Sequence, residues 1–295
     1  MSRPLIVGAA GQVGQQIARI LSGANPVRTS RKASASGWRV VDLEALAVTS
    51  GDAARLLDTE SIGSVYCVGG ATDVENCEAE PEKTYQINEK GPAVLAAAAQ
   101  ERGLPFVYFS TEYVFDGRSG PYSEQDAVNP LNVYGKSKLA GELLIMKIHP
   151  GALIIRTTVV YGQDDAQKNF LYGLVNRLSN GEQMKVAQDQ ISTPTYNKDL
   201  AQAAVTLLNS GASGIYHVCG LQCLSRFEFA LEAARVMDLP CDLIIPSLTS
   251  ALNQKATRPL NAGLATQKLR SEFPQVLIRP LEEGIRDFMA AHAVT

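Results

Sequence analysis

A short apolar run, Pro4 to Val7, stops at Gly8, and Gly11 and Gly14 follow at three-residue intervals. Behind them Val13, Ile17, Ile20 and Leu21 recur at helical spacing. Strand, glycine turn and helix in that order restrict the fold more than any other stretch. Without side chains the turn can be tight, and backbone amides can approach a phosphate at the positive end of the helix. The pattern predicts the first strand–helix unit of a parallel sheet. It marks Gly8, Gly11, Gln12 and Val13 as candidate contacts to a dinucleotide. A glycine loop that merely turns the chain is the plainer alternative.

The next strand should end near Pro26–Arg31. A site for an unphosphorylated adenosine ribose usually carries an acid here, roughly 20 residues past the glycines. This chain has Ser30, Arg31 and Lys32 instead, with Arg28 just upstream. A hydroxyl and two cations suit a 2′-phosphate better than a bare diol, so NADP(H) is expected, with NAD(H) left open. Trp38–Leu43 reads as a third strand; Asp42 and Leu43 would meet the adenine end. Ala45–Leu57 reads as one apolar-striped helix, and Ser64–Gly70 as a further strand, whose end would bring Gly69, Gly70 and Ala71 to the cofactor. Residues 71–103 lead into a long alanine-rich helix. Within it Asn88 is either a structural polar contact or a group binding backbone or water under the site.

At 295 residues, with 45% apolar and 19% charged residues, the chain can bury a large core. A net charge of −3 provides no basic field for nucleic acid or anionic lipid. No apolar run approaches the roughly 18 residues of a membrane span, and the N-terminus lacks a secretory h-region, so a cytoplasmic protein is expected. Cys67, Cys77, Cys219, Cys223 and Cys241 are scattered and read as reduced thiols. His149, His217 and His292 have no partner at motif spacing, so no metal site is assigned.

Residues 105–117 (PFVYFSTEYVFDG) read as the fifth strand, an apolar run that stops at Ser110 and Thr111, where a hydroxyl can donate to a substrate carbonyl. Residues 116–130 are polar and rich in turn formers, a loop over the site. Asn129-Pro130 then opens a helix with Tyr134 and Lys138 four residues apart, on one face. A nearby ammonium lowers the pKa of a phenol, which can then exchange a proton with a carbonyl or alcohol oxygen. A Tyr and a Lys fall at this spacing in many helices, so the pair gains weight only from its surroundings.

Seven blocks spread over nearly the whole chain carry a resemblance: residues 8–14 (GAAGQVG), 75–81 (ENCEAEP), 110–117 (STEYVFDG), 130–142 (PLNVYGKSKLAGE), 154–162 (IIRTTVVYG), 194–201 (PTYNKDLA) and 258–269 (RPLNAGLATQKL). The chain resembles the extended short-chain dehydrogenase/reductases, within them the dTDP-4-dehydrorhamnose reductase (RmlD-like) group, which also includes the methionine adenosyltransferase β subunit. The resemblance implies an α/β fold: a Rossmann-type doubly wound parallel sheet with a smaller, interleaved C-terminal substrate-binding lobe. Residues 1–161 would form the NADP-binding part and 162–295 mainly the lobe, with about 194–218 returning to the sheet.

It also implies a catalytic set. Thr111 and Tyr134 would hold the 4-keto oxygen of a nucleotide sugar, with Tyr134 protonating it as hydride arrives. Lys138 would lower the Tyr134 pKa and, with Tyr134, bind the cofactor. Val74, Glu112 and Tyr113 match sugar-pocket positions, and Arg258 matches a diphosphate contact. Glu112-Tyr113 after Thr111, in place of an Asp-Glu pair, favours a ketoreductase over a dehydratase. These reductases carry a Trp where this chain has Val159, so the stacking platform against the sugar is missing. The expected function is an NADPH-dependent reductase of a nucleotide-linked 4-keto-6-deoxy sugar, a homodimer being left open. The alternatives are a non-catalytic, NADP-binding regulatory subunit and another sugar-nucleotide epimerase or ketoreductase.

Overall fold

The computed structural model describes residues 2–32 and 37–292. The first half of the chain alternates strands and helices: β1 (Arg3–Val7), α1 (Gln12–Ile20), β2 (Val27–Ser30), β3 (Arg39–Val40), α2 (Leu43–Leu46), α3 (Ser50–Thr59), β4 (Ile62–Cys67), α4 (Val74–Ala79), α5 (Pro81–Tyr85), α6 (Gly91–Glu101), β5 (Phe106–Thr111), α7 (Val133–Ile148) and β6 (Leu153–Thr157). The second half follows as β7 (Val160–Tyr161), α8 (Phe170–Ser179), β8 (Met184–Ala187), β9 (Ile191–Ser192), β10 (Thr195–Tyr196), α9 (Asn197–Asn209), β11 (Gly214–His217), β12 (Leu224–Ser225), α10 (Arg226–Val236), β13 (Ile244–Ser247), α11 (Gln267–Glu272) and α12 (Leu281–His292).

Among the described residues seven strands form one sheet in the order β11-β6-β5-β4-β1-β2-β3, all pairs parallel. Strand residues alternate between its faces. Leu5, Val7, Val65, Cys67, Phe106, Tyr108 and Ile154 join a core that includes α6 residues Leu95, Ala96 and Ala99. Ile6, Tyr66, Val107, Phe109, Leu153 and Ile155 join the core under α1 and α9. A sheet buried on both faces is the doubly wound α/β arrangement. The order reverses direction between β1 and β4, and ligands of such sheets gather outside the strand ends there.

A third core holds the smaller lobe, where Leu171, Leu174, Phe229, Ala233, Ile285 and Phe288 pack between α8, α10 and α12. Ser225 and Glu228 close α10 with a reciprocal capping box.

Three expected elements take another form. The third strand, expected over Trp38–Leu43, is only Arg39–Val40, because Asp42 caps the helix that Leu43 begins. The single helix expected over Ala45–Leu57 is two, because the Asp42 carboxylate caps the four-residue α2 and the chain leaves the helix at exposed Val48 before α3 begins. The long alanine-rich helix is α4, α5, a π-helical turn over Gln86–Lys90 and then α6. The loop over 116–130 is held in place by Tyr122, whose ring stacks on Phe115 at 4.3 Å and whose hydroxyl donates to Asp116 at 2.7 Å. All five cysteines are free, with Cys67, Cys77 and Cys219 buried. No described helix is long and apolar enough to cross a membrane.

Candidate active site

β5 is buried along its whole length and delivers Thr111 to the carboxyl edge of the sheet. The Asn132 side chain caps α7 by accepting from the Gly135 amide at 2.8 Å, and its own amide donates to the Thr257 carbonyl at 2.8 Å. A Cβ on Gly135 would lie 2.1 Å from the Tyr113 carbonyl oxygen, so only glycine lets α7 start against the turn that follows β5. That approach sets the Tyr134 ring edge-on to Tyr113, with centroids 5.5 Å apart.

Lys138 lies one turn further along α7 and is buried, its Nζ 3.9 Å from the centre of the Tyr108 ring. It makes no ion pair among the described residues. Burial pulls its pKa down to about 8, against the opposing pull of Cys67 and Glu142. The Tyr134 phenol moves the other way. Burial raises it well above its usual value, the Glu112 charge adds to this, and hydrogen bonding with Thr111 opposes both. The expectation that Lys138 depresses Tyr134 is therefore corrected. Desolvation of the phenolate dominates, and the ammonium is itself desolvated.

Glu112 is buried and accepts from two hydroxyls, Thr111 Oγ1 at 2.8 Å and Thr158 Oγ1 at 2.8 Å. Burial nonetheless raises its pKa above the ordinary carboxylate value, these two bonds pulling the other way. Thr111 also accepts from the Tyr113 amide at 3.2 Å. Its one proton goes to Glu112, a commitment the expected donation to a substrate carbonyl has to displace.

Asn88, in the π-helical turn, holds the floor. Its Oδ1 accepts from the Ala71 amide at 2.8 Å, and its Nδ2 donates to the Ala71 carbonyl and to Ser137 Oγ, each at 3.0 Å. The segment after β4 is thereby clamped to the helix carrying Tyr134 and Lys138. A Cβ on Gly70 would lie 3.0 Å from Asn88 Oδ1 and 3.8 Å from Lys138 Nζ. Asn88 thus binds backbone under the site, the second of its two expected roles.

The glycines at the sheet's reversal point are demanded by space. Gly8 has φ +88°, and a Cβ there would lie 2.6 Å from Gly69 backbone atoms; one on Gly14 would lie 2.3 Å from the Gly8 carbonyl oxygen. Gly11 and Gln12 begin α1, and no side chain caps that helix, so its first amides stay open to an anion. Val13 packs in the core beneath. The Gln12 side chain donates to the Val160 carbonyl at 3.3 Å and accepts from Asn169 at 3.2 Å, tying the turn to the second half of the chain.

Ser30 ends β2, and its hydroxyl donates to the Lys32 carbonyl, turning it back on its own loop. Arg31 and Lys32 are exposed, and neither side chain pairs with a carboxylate among the described residues. Asp42 accepts from the Glu44 amide at 3.0 Å as the α2 cap, a structural role beyond the one expected of it. Leu43 is buried against Gly69 and Gly91.

At the substrate end, Val74 is half-buried at the start of α4. Arg258 Nη2 pairs with Glu75 at 2.8 Å, its guanidinium carbon lies 5.9 Å from the Tyr113 ring centre, and its buried Nη1 has no hydrogen-bond partner among the described residues. Val159 has φ +41°, unusual for a β-branched residue. Its neighbour Thr158 holds Glu112, and Val160 receives Gln12. Arg226, at the start of α10, was not among the residues marked from sequence, yet it interacts electrostatically with Glu112, Tyr113 and Arg258. Its one signal was a cation directly after the capping Ser225. Among the described residues no His, Cys, Asp and Glu cluster could hold a metal ion.

A family model described as the RmlD substrate binding domain matches residues 2–294. A dTDP-4-dehydrorhamnose reductase from Aggregatibacter actinomycetemcomitans is 32% identical over 286 residues, 92% of this chain and 94% of the relative. Methionine adenosyltransferase 2 subunit beta from Danio rerio is 35% identical over 249 residues, 79% of this chain and 76% of the relative. The crystal structure of dTDP-4-dehydrorhamnose reductase from Bacillus anthracis str. Ames in complex with NADP matches with a TM-score of 0.84 and 27% identity, covering 99% of this chain and 100% of that one.

Proposed function

The chain belongs to the RmlD substrate-binding-domain family, and from that premise we propose that it is an NADPH-dependent reductase of a nucleotide-linked 4-keto-6-deoxy sugar. The observation that carries this reading is the convergence of Thr111, Tyr134 and Lys138 beside the clamped Gly70–Ala71 segment, at the carboxyl ends of β4 and β5.

The glycine cradle fits a dinucleotide, since a Cβ at Gly8 or Gly14 would overlap backbone, and the first amides of α1 are uncapped. Gly8, Gly11, Gln12 and Val13 would hold its pyrophosphate, and Arg31 and Lys32, which pair with no carboxylate among the described residues, its 2′-phosphate. Bound NADPH supplies the hydride. Tyr134 supplies the proton: its raised pKa keeps the phenol neutral at pH 7, so it retains that proton until charge develops on the keto oxygen. Lys138, cationic below about pH 8, lies where it can bind ribose hydroxyls beside Gly70. Val74, Glu112, Tyr113 and Val159 would frame the sugar, and Arg258 would offer Nη1 to the diphosphate.

The test is NADPH oxidation, followed by absorbance, with a panel of dTDP-linked 4-keto sugars. Turnover with at least one is expected, and Tyr134→Phe should reduce it about 10²- to 10⁴-fold while NADPH binding stays near normal. No turnover with any panel member, despite confirmed NADPH binding, would reject the reading.

A second reading, an NADP-binding regulatory subunit, is favoured by the Danio rerio relative and by Val159, which offers no aromatic platform to a sugar. It requires a stable complex with a methionine adenosyltransferase. Mixing the two and finding no co-elution removes it.

A further inference from the structure

Ser110 on β5, Arg156 on β6 and His217 on β11 stand side by side, because Ser110 pairs in register with Arg156 and Arg156 with His217. Parallel strands in register turn paired side chains to one face, about 5 Å apart. That face lies under α7, where Arg156 Nε and Nη2 hold the Glu142 carboxylate. All three side chains are buried, and each leaves one polar atom without a hydrogen-bond partner among the described residues: Ser110 Oγ, Arg156 Nη1 and His217 Nε2. Phe115 covers the row, its ring centre 5.2 Å from the Arg156 guanidinium carbon and 5.8 Å from the His217 ring centre.

The hydrogen-bonding capacities of these three atoms are complementary. His217 Nδ1 lies 3.1 Å from the Tyr122 carbonyl oxygen and 3.2 Å from that of Ala265. Carbonyls only accept, so Nδ1 carries the ring proton. Burial and the Arg156 charge hold the ring neutral, its pKa pulled down to about 3, which leaves Nε2 a bare acceptor. Arg156 Nη1 can only donate, and the Ser110 hydroxyl can do either. Glu142 fixes the guanidinium plane, so Nη1 cannot turn toward His217 without breaking that pair. We propose that this row binds one internal water, which accepts from Arg156 Nη1 and donates one proton to His217 Nε2 and the other to Ser110 Oγ. Three bonds to otherwise unsatisfied buried groups are typical of an internal water. It is a single enclosed molecule, since Phe115 shuts the row from bulk solvent. The water links β5, one residue before Thr111, to the edge strand β11. His217 carries the link onward through Tyr122 and Ala265, and its amide donates to Glu124 at 2.9 Å. The loop over the active site therefore hangs on the same side chain that holds the water.

A high-resolution crystal structure of the full chain tests the site. One density peak about 2.7–3.2 Å from all three atoms is expected. No peak there, or a direct bond from Arg156 Nη1 to His217 Nε2, overturns the proposal. His217→Phe removes the acceptor and should abolish the peak; a peak that persists unmoved shows that Nε2 is not its partner and also overturns it. In the same variant the backbone amides of residues 116–126 should lose about tenfold in protection from hydrogen exchange, the worth of one or two hydrogen bonds. Unchanged protection overturns the link to the loop. Should His217→Phe fail to fold, nitrogen-15 NMR of the wild-type imidazole decides. It should find the His217 proton on Nδ1 at neutral pH and Nε2 unprotonated. A proton on Nε2 removes the acceptor and overturns the water's assigned bonds.

Discussion

The Thr111 hydroxyl donates to Glu112 Oε2 across 2.8 Å, and these neighbours in sequence therefore share one proton that the chemistry of the site also needs. Ionised Glu112 holds that proton; neutral Glu112 does not require it. Burial raises the Glu112 pKa above 4.5, so the acid survives to higher pH than an exposed glutamate would. Reduction that uses Thr111 as a donor should be fastest while Glu112 is protonated, and should decline as pH rises through its raised pKa. The decline approaches tenfold per pH unit. Glu112→Gln is neutral at every pH, so its kcat/KM profile should lack that limb. An identical limb in the variant would separate Glu112 from Thr111.

Lys138 yields a stability prediction whose sign follows from its depressed pKa. Folded Lys138 loses its proton near pH 8, whereas in the unfolded chain it does so near 10.5. Between those values the unfolded state binds more protons, so stability rises with pH by up to ~1.4 kcal/mol per unit. Lys138→Met has no such gain. Urea unfolding at pH 7 and pH 9 should find the wild type gaining on the variant at the higher pH, and a constant difference would contradict the burial of a charged amine here.

The helix carrying the site is anchored by a buried ion pair. Arg156 Nη2 and Nε contact both Glu142 oxygens at 2.7 to 3.2 Å, with side-chain exposures of 3% and 0%. Glu142→Ala strands the guanidinium in the core and should cost about 3–5 kcal/mol in urea unfolding. Replacing both partners with apolar residues of similar volume should cost less than the single change. A single-variant cost below about 1 kcal/mol would mean that water reaches Arg156.

Val159 holds a left-handed backbone, φ +41°, with a side chain that disfavours it. Asn adopts that conformation readily, so Val159→Asn should stabilise the fold by roughly 1 kcal/mol. Because the residue belongs to the proposed pocket wall, KM for the sugar nucleotide should change as well. Loss of stability in the variant would show that Val159's packing outweighs the relief of strain.

The cofactor half of the site was the more legible part. Gly8 and Gly14 are glycines for want of space and stand in an unbroken local pattern, so their role can be read without knowing what packs on them. Tyr134 and Lys138 share a helical face by spacing alone. The Glu112–Thr158 bond spans 46 residues and the Arg258–Glu75 pair 183, separations at which nothing local records the contact. The division of residues 43–59 into two helices was hidden for a related reason: apolar spacing persisted across a break that Asp42 capping and the exposed Val48 impose.

By itself the sequence determined the parallel α/β order, the glycine turn and the candidate proton donor, because each depends on residues within a few positions of one another. Tertiary structure decided the protonation of the group. Packing half-buries Tyr134 and buries Lys138, raising one pKa and lowering the other, and it sets beside Thr111 an acid that competes for its proton. Desolvation depends on every atom that excludes water from a side chain, and most of those atoms come from elsewhere in the chain.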